Sequence, residues 1–237
     1  MSYLLILFLI GLFILIHEMG HYAAARRVGI PVALLSIGFG PKIWSFRRER
    51  TEFRLSCIPL GGYVVPVINS EADFYAFSVS QRTIFSLGGP VANLIVALFL
   101  FAILNLVTTE FSLYGILIKP FAQVISMIAK LISLIPLAIT RPSELSGILG
   151  IVSVGGAFVG LNAEKILNFS ILLSLNFAIF NLIPILPLDG GKLLLYALEK
   201  LDARLARLHM PLALTGWVVL LGLFFYLTFQ DIQRLVR

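Results

Sequence analysis

The sequence lacks the charge of a water-soluble protein and the cysteines of a thiolate metal site. Only 13% of its 237 residues are charged, whereas 59% are hydrophobic, and the mean hydropathy is +1.00. This composition excludes a soluble globule and a disordered chain. Cys57 is the only cysteine, which excludes an intramolecular disulfide, a zinc knuckle and a CxxC redox pair. The chain is therefore predicted to lie in a lipid bilayer.

Acidic residues are scarcer than basic ones, and the net charge is +6. The basic residues lie between apolar runs and form no long basic face, so we expect no nucleic-acid partner. One basic group follows the first apolar run (Arg26, Arg27, Lys42, Arg47, Arg48, Arg50, Arg54 and Arg82) and another follows the third (Lys192, Lys200, Arg204 and Arg207). By the positive-inside rule, both loops are cytoplasmic and the N-terminus lies outside a cell membrane that the chain crosses several times.

Four apolar runs predict membrane-spanning helices, at 3–25, 84–107, 166–188 and 212–230. The intervening segment 120–161 is apolar but interrupted by Gln123, Lys130 and Pro136. A single extra crossing there would invert the third helix, so this segment crosses the membrane either twice or not at all. It crosses twice if it forms a hairpin, and not at all if it forms interfacial or re-entrant elements. We predict an all-α integral membrane protein with about four transmembrane helices, or six, that forms one membrane-embedded domain over 1–237.

The first run has a second interpretation, as a cleaved secretory signal peptide. No Lys or Arg precedes its apolar core, and the charged sequence HEMGH lies within it. Both features favour a retained helix.

Between the first two runs, residues 34–67 alternate short apolar stretches with Gly and Pro. This pattern predicts a small membrane-associated β element rather than a helix. A hairpin from Trp44–Phe46 to Phe53–Leu55 is one interpretation, and an irregular cytoplasmic loop is the other.

The sequence HEMGH carries the first chemical signal. On a helix, His17 and His21 are one turn apart and present both imidazoles on one face, where they can bind a single Zn²⁺. Glu18 can reach a metal-bound water as general base. Ionisable groups inside a spanning helix favour a functional site. The alternative is a polar cluster that only holds helices together.

A catalytic zinc site needs a third protein ligand. Asp189, at the end of the third run in NLIPILPLDGG, is the favoured candidate, and His209 is the weaker one. The two histidines lie about 25–30 Å along a helix that starts outside, and Asp189 ends a helix running in the same direction. All three are thus expected near the cytoplasmic face. Pro184 and Pro187 would break the third helix and redirect Asp189.

HEMGH in the first helix and NLIPILPLDGG in the third resemble the site-2 protease family of intramembrane zinc metalloproteases. Shorter similar patches are Gly38–Pro41, Pro59–Val64, Gly88–Asn93 and Ser146–Ile151. The resemblance implies one zinc held by His17, His21 and Asp189, water activation by Glu18, and substrate contacts from Asn181 and Asn93. It also implies a β element near 38–67 that can pair with an unwound substrate.

The implied activity is zinc metalloendopeptidase cleavage in or near transmembrane segments of membrane proteins, as in regulated intramembrane proteolysis. Larger bacterial relatives carry PDZ domains after the second helix, where only Thr108–Lys119 intervene here, and we expect none after Arg237 either. Substrate filtering would then come from a regulatory membrane partner, and a homo-oligomer is the other arrangement considered.

Two rival functions share some of these signals. One is another kind of membrane zinc protease, in which Glu199 supplies the third ligand. The other is a transporter or scaffold that uses a broken helix and a buried polar cluster to bind an ion.

Overall fold

Helices account for most of the chain in the computed structural model, which describes residues 1–68, 71–108, 111–202, 204–205 and 209–236. Two strands interrupt the helices near the N-terminus, and a 3₁₀ turn lies at Pro142–Glu144. In chain order the elements are α1 (Ser2–Arg27), β1 (Val32–Arg48), β2 (Thr51–Pro66), α2 (Glu71–Ala76), α3 (Val79–Thr108), α4 (Leu113–Leu117), α5 (Lys119–Ser133), α6 (Ile135–Thr140), α7 (Ile148–Val159), α8 (Ala163–Asn181), α9 (Asp189–Leu201) and α10 (His209–Val236).

Among the described residues, five helical segments are long and apolar enough to cross a membrane. Four of them, α1, α3, α8 and α10, coincide with the predicted spans, and the fifth runs over Lys119–Leu137. The predicted class, a multi-pass helical membrane protein with a small β element, is confirmed.

Proline positions explain where several helices begin and end. Pro120 lies in the first turn of α5 and Pro136 in the first turn of α6, where the missing N–H costs no helical hydrogen bond. The third apolar run was expected to be helical to residue 188, but α8 ends at Asn181 and Pro184 follows within the connection to α9. Because proline cannot continue the backbone hydrogen-bond ladder, apolarity alone overestimates the length of this helix.

The β element is a sheet of two long, bent strands. Phe46 lies opposite Phe53 next to the turn, so the predicted hairpin is confirmed over an irregular loop. At its other end Ile37 lies opposite Gly62 and Val32 opposite Pro66. Leu35 has a partner on each side, Val64 and Phe53, so the sheet is three chain segments wide there. The last five residues of β2, from Gly62 to Pro66, are called the edge segment below.

The chain divides into two compact units. Unit 1 comprises Met1–Ile10, Leu94–Asn176 and Thr215–Arg237, and unit 2 comprises Gly11–Asn93 and Phe177–Leu214. Helices α1, α3, α8 and α10 each have one part in each unit, so the chain passes between the units four times, whereas α5 lies wholly in unit 1. That a single domain covers 1–237 stays a prediction.

Each unit has an apolar core of its own. In unit 1, side chains of α3, α5 and α8 pack together (Ala97, Phe101, Leu104, Val124, Ile171 and Leu175). In unit 2, the end of α1, the start of β1 and the beginning of α3 meet (Ala25, Ile30, Val32 and Phe85). The second core supports the helices that carry the candidate site.

Candidate metal centre

His17 and His21 lie side by side on α1, as their spacing predicts. Both are buried, and their Nε2 atoms are 3.1 Å apart. Asp189, the first residue of α9, is buried against them, with Oδ2 3.1 Å from Nε2 of His17 and 3.2 Å from Nε2 of His21. Each residue offers one ligand atom, and these atoms all lie within 4.8 Å of one another. We call these three residues the trio.

The loop between α8 and α9 delivers Asp189 to this position. A Cβ at Gly190 would collide with the carbonyl oxygen of Leu182, and one at Gly191 with the backbone of Leu186. Residues 182–188 therefore fold tightly against the first turn of α9, and only glycine fits at both positions. The Asp-Gly-Gly sequence is thus a backbone requirement for placing the carboxylate.

Groups behind the imidazoles orient them. Nδ1 of His21 donates to the carbonyl oxygen of Phe85 over 2.8 Å, and the carboxamide of Asn93 lies 3.4 Å from Nδ1 of His17. The Gly89 N–H approaches the same Nδ1 at the longer distance of 3.3 Å. Since a carbonyl only accepts, the shorter contact with Phe85 assigns the proton of His21 to Nδ1 and presents the Nε2 lone pair to the trio. Asn93, expected to contact substrate, is fully buried behind His17.

Lys192 is a neighbour of the trio that the sequence reasoning missed. Its Nζ lies 3.1 Å from Oδ1 of Asp189, one helical turn away on α9. Burial by itself raises the pKa of Asp189, but the Lys192 ammonium and the two imidazoles outweigh burial and hold that pKa below its ordinary value. The carboxylate is therefore kept ionised, with Oδ1 bound to Lys192 and Oδ2 directed at the histidines. The i, i+3 spacing of Asp189 and Lys192 is the signal that could have identified this pair.

Glycines let the helices of unit 2 approach closely enough to form the site. A Cβ at Gly89 of α3 would lie 2.5 Å from Nε2 of both His17 and His21. A Cβ at Gly20 of α1 would collide with the backbone of Gly88, and one at Gly88 with the backbone of Gly20. Gly20 and Gly88 therefore allow α1 and α3 to approach each other closely.

Glu18 is buried on α1 beside the edge segment. A Cβ at Gly62 would lie only 2.5 Å from Cγ of Glu18, so the bare backbone of Gly62 makes room for this carboxylate side chain. The first residue of the edge segment is thus adjacent to Glu18.

Three other sequence candidates lie outside the trio. The amide of Asn181, at the end of α8, donates to the carbonyl oxygen of Phe177 over 2.8 Å. Glu199 accepts two hydrogen bonds from Arg82, of 2.6 and 2.8 Å, and Arg82 lowers the pKa of Glu199. The imidazole of His209 packs against the ring of Tyr196, 5.5 Å between centroids. Among the described residues, the trio is the one group whose ligand atoms could share a metal ion.

The arrangement defines a class of protein: an apolar helical bundle with an HExxH helix and a distant aspartate that converge on one point. Residues 5–225 match the model of peptidase family M50, so the chain belongs to that family and the resemblance to site-2 proteases is confirmed.

Individual relatives carry protease names. The chain is 41% identical over 107 residues to the regulator of sigma E protease of Haemophilus influenzae, a match covering 41% of this chain and 24% of the relative. It is 43% identical over 102 residues to the regulator of sigma-E protease RseP of Escherichia coli K12, covering 38% and 22%. A Thermotoga maritima protein with zinc metalloprotease in its name is 39% identical over 106 residues, covering 40% and 21%. The matched parts span about a quarter or less of these relatives.

Proposed function

We propose that this chain is an intramembrane zinc metalloprotease that hydrolyses peptide bonds in or near transmembrane segments of membrane proteins. The observation that carries the proposal is the trio: two imidazole nitrogens and one carboxylate oxygen within 3.2 Å of one another. Three donors sharing one Zn²⁺ at its usual bond lengths lie about 3.3 Å apart. A His₂-carboxylate set also leaves the fourth position of zinc for water, as catalytic sites require.

The donor set favours a cation on electrostatic grounds as well. With Nδ1 of His21 protonated, Nε2 of His21 and Oδ2 of Asp189 direct lone pairs at each other across 3.2 Å. Two acceptors at that distance repel each other unless a proton or a metal ion lies between them. Lys192 neutralises the far oxygen of the same carboxylate and leaves the near oxygen free to bind.

We assign His17, His21 and Asp189 as the zinc ligands and Glu18 as the general base. Bound zinc would lower the pKa of a water molecule towards 7 and polarise the scissile carbonyl. Glu18, as the general base, would take a proton from the attacking water and return it to the amine of the leaving segment. Phe85 and Asn93 hold the imidazoles in place while Lys192 holds the carboxylate.

Substrate presentation is assigned to the edge segment and to Asn181. In the part of the chain that the structure describes, the edge segment pairs with the first half of β1 on one side only. An unwound substrate can add to its other side as a further strand, which exposes the carbonyls that a helix hides. Because Gly62 abuts Glu18, a strand bound there would pass the general base. Asn181 would then hydrogen-bond the substrate main chain.

The proposed setting is a cell membrane, with the N-terminus outside and the site near the cytoplasmic face. The basic loops after α1 and α8 support this orientation. Water then reaches the site over a short distance from the cytoplasm. The proposed partners are transmembrane protein or peptide substrates, the lipid bilayer, and a regulatory membrane protein or a second copy of the chain.

The test is cleavage of a model transmembrane substrate by purified protein, with zinc measured in the same samples. Glu18→Gln is expected to retain zinc and to lose about 10²–10⁴-fold in turnover, because only the base is removed. Glu199→Gln serves as the control for the rival ligand and is expected to retain zinc. A transporter or scaffold would not depend on a general base, so its function would be unimpaired in Glu18→Gln. Zinc loss in Glu199→Gln would indicate the other type of protease.

A further inference from the structure

Unit 2 contains a cavity of about 230 Å³ that no step above uses. Most of the side chains in its wall are aromatic or apolar, and one is cationic. The lining residues are Pro66, Ile68, Phe74, Tyr75, Phe85, Lys192 and Tyr196. The cavity is smaller than the pockets that hold drug-sized ligands and is of the size that one large side chain fills.

Two lining residues also contact the trio. The carbonyl oxygen of Phe85 accepts a hydrogen bond from His21, and Lys192 donates one to Asp189. The cavity therefore shares two of its lining residues with the immediate surroundings of the proposed metal centre. Whatever enters it lies against residues that hold two of the three ligands.

The edge segment leads from Glu18 to this cavity. Gly62 at one end abuts Glu18, and Pro66 at the other end lines the cavity. Four residues of extended chain span about 13 Å. A substrate strand alongside the edge segment would thus place a side chain in the cavity about four positions from the scissile bond.

Two of the four rings in the wall, those of Tyr75 and Tyr196, are held in place by neighbouring side chains. The Arg82 guanidinium, paired with Glu199, lies 5.2 Å from the ring centroid of Tyr75 and 4.9 Å from that of Tyr196. His209 also contacts both rings, with centroid distances of 5.2 Å to Tyr75 and 5.5 Å to Tyr196. A wall fixed in this way loses little side-chain entropy on binding, so its apolar surface contributes to affinity almost undiminished.

We propose that this cavity is a substrate subsite that takes one aromatic or large aliphatic side chain. The proposal rests on the proposed function and adds a sequence preference to it. Four aromatic rings favour an apolar occupant, and the Lys192 ammonium is already bound to Asp189. The subsite selects among substrates by a side chain remote from the bond that is cut.

The experiment uses the full chain with transmembrane substrates in which each position flanking the scissile bond is changed in turn to Ala or Phe. At one position, about four residues from the bond, Phe is expected to raise kcat/KM roughly ten- to a hundredfold over Ala. Ile68→Phe fills the cavity and should reduce this ratio to about one. Ala76→Phe adds the same ring at an exposed position of α2 and should preserve the ratio.

A second matched pair of variants keeps the subsite testable if Ile68→Phe fails to fold. Phe74 and Phe77 pack on the same core cluster, but only Phe74 lines the cavity. Phe74→Leu enlarges the cavity and should move the preference from Phe towards Trp, whereas Phe77→Leu should not. A Phe preference that survives both cavity variants, or no preference at any position, overturns the subsite.

Binding without turnover separates this proposal from the proposed function. A photoreactive phenylalanine analogue, placed at each position of the transmembrane substrate in turn, should crosslink from one of these positions to the segment containing Ile68 in the Glu18→Gln variant. Equal cleavage of all substrates without such a crosslink overturns the subsite and leaves the protease assignment standing. A crosslink with no cleavage by the wild-type chain supports the subsite and contradicts the protease assignment.

Discussion

Asp189 in unit 2 and Asp231 in unit 1 are both buried carboxylates next to glycines, yet their surroundings differ. Asp189 is 4% exposed and meets two imidazoles and an ammonium. Asp231 is 1% exposed, accepts the backbone N–H of Gly150 over 2.8 Å and has Arg234 3.8 Å away. Asp231 has a backbone donor on Oδ2 and a guanidinium in the neighbourhood of Oδ1. Oδ2 of Asp189 instead faces two imidazoles, an arrangement that favours a shared cation. The donor set, rather than burial, distinguishes a metal site from a structural contact.

Replacing the two aspartates separately tests this comparison most strongly. Asp189→Asn keeps the shape of the side chain but removes its charge, so zinc affinity is expected to fall at least about a hundredfold, and cleavage with it. Zinc titration of the purified protein measures the first effect. Asp231→Asn should bind zinc like the wild type, and zinc loss confined to Asp231→Asn would reverse the assignment.

Gly89→Ala tests the space around the imidazoles without touching a ligand. The added methyl group would lie 2.5 Å from Nε2 of His17 and of His21, so the histidines or α3 must shift. We expect a loss of zinc affinity of about 10–100-fold, since small displacements of ligand-orienting groups have effects of this size. Gly11→Ala, on α1 with nothing within 4 Å, is the matched control and should keep full affinity. Equal effects of the two changes would show that crowding of the histidines by the Gly89→Ala methyl group does not determine zinc affinity.

Lys192→Met tests the group that holds Oδ1 of Asp189. Methionine keeps most of the side-chain length but cannot donate, so zinc affinity and cleavage are expected to fall about tenfold. Lys192→Arg supplies another cation and should recover part of the loss. A loss in Lys192→Met that arginine does not reduce would point to packing rather than to orientation of the carboxylate.

Parts of this site follow from the sequence because they depend on local geometry. His17 and His21 meet because residues one turn apart share a helix face, and the depth argument brings Asp189 to the same end of the membrane. The carbonyl of Phe85 could not be predicted, since a backbone acceptor carries no residue signature and its position depends on how α1 packs against α3. Pro184 and Pro187 predict a break in the third run, but α8 already ends at Asn181, because hydropathy describes composition and does not locate the last residue of a helix.

Asp231→Asn is expected to have the smallest effect, on stability alone. Asp231 accepts from the first turn of α7, and Gly147 and Gly150 leave room for its oxygens, which a Cβ at either position would approach within 2.8 Å. Loss of a helix-capping carboxylate costs about 0.5–2 kcal/mol, and asparagine keeps an acceptor, so the lower end is expected. Thermal unfolding in detergent, with and without zinc, measures this cost.

Because the cap and the trio share no partner, zinc should stabilise Asp231→Asn as much as the wild type, whereas it should fail to stabilise Asp189→Asn. Equal loss of zinc stabilisation in both variants would mean that the two carboxylates are energetically coupled and would end the distinction between them.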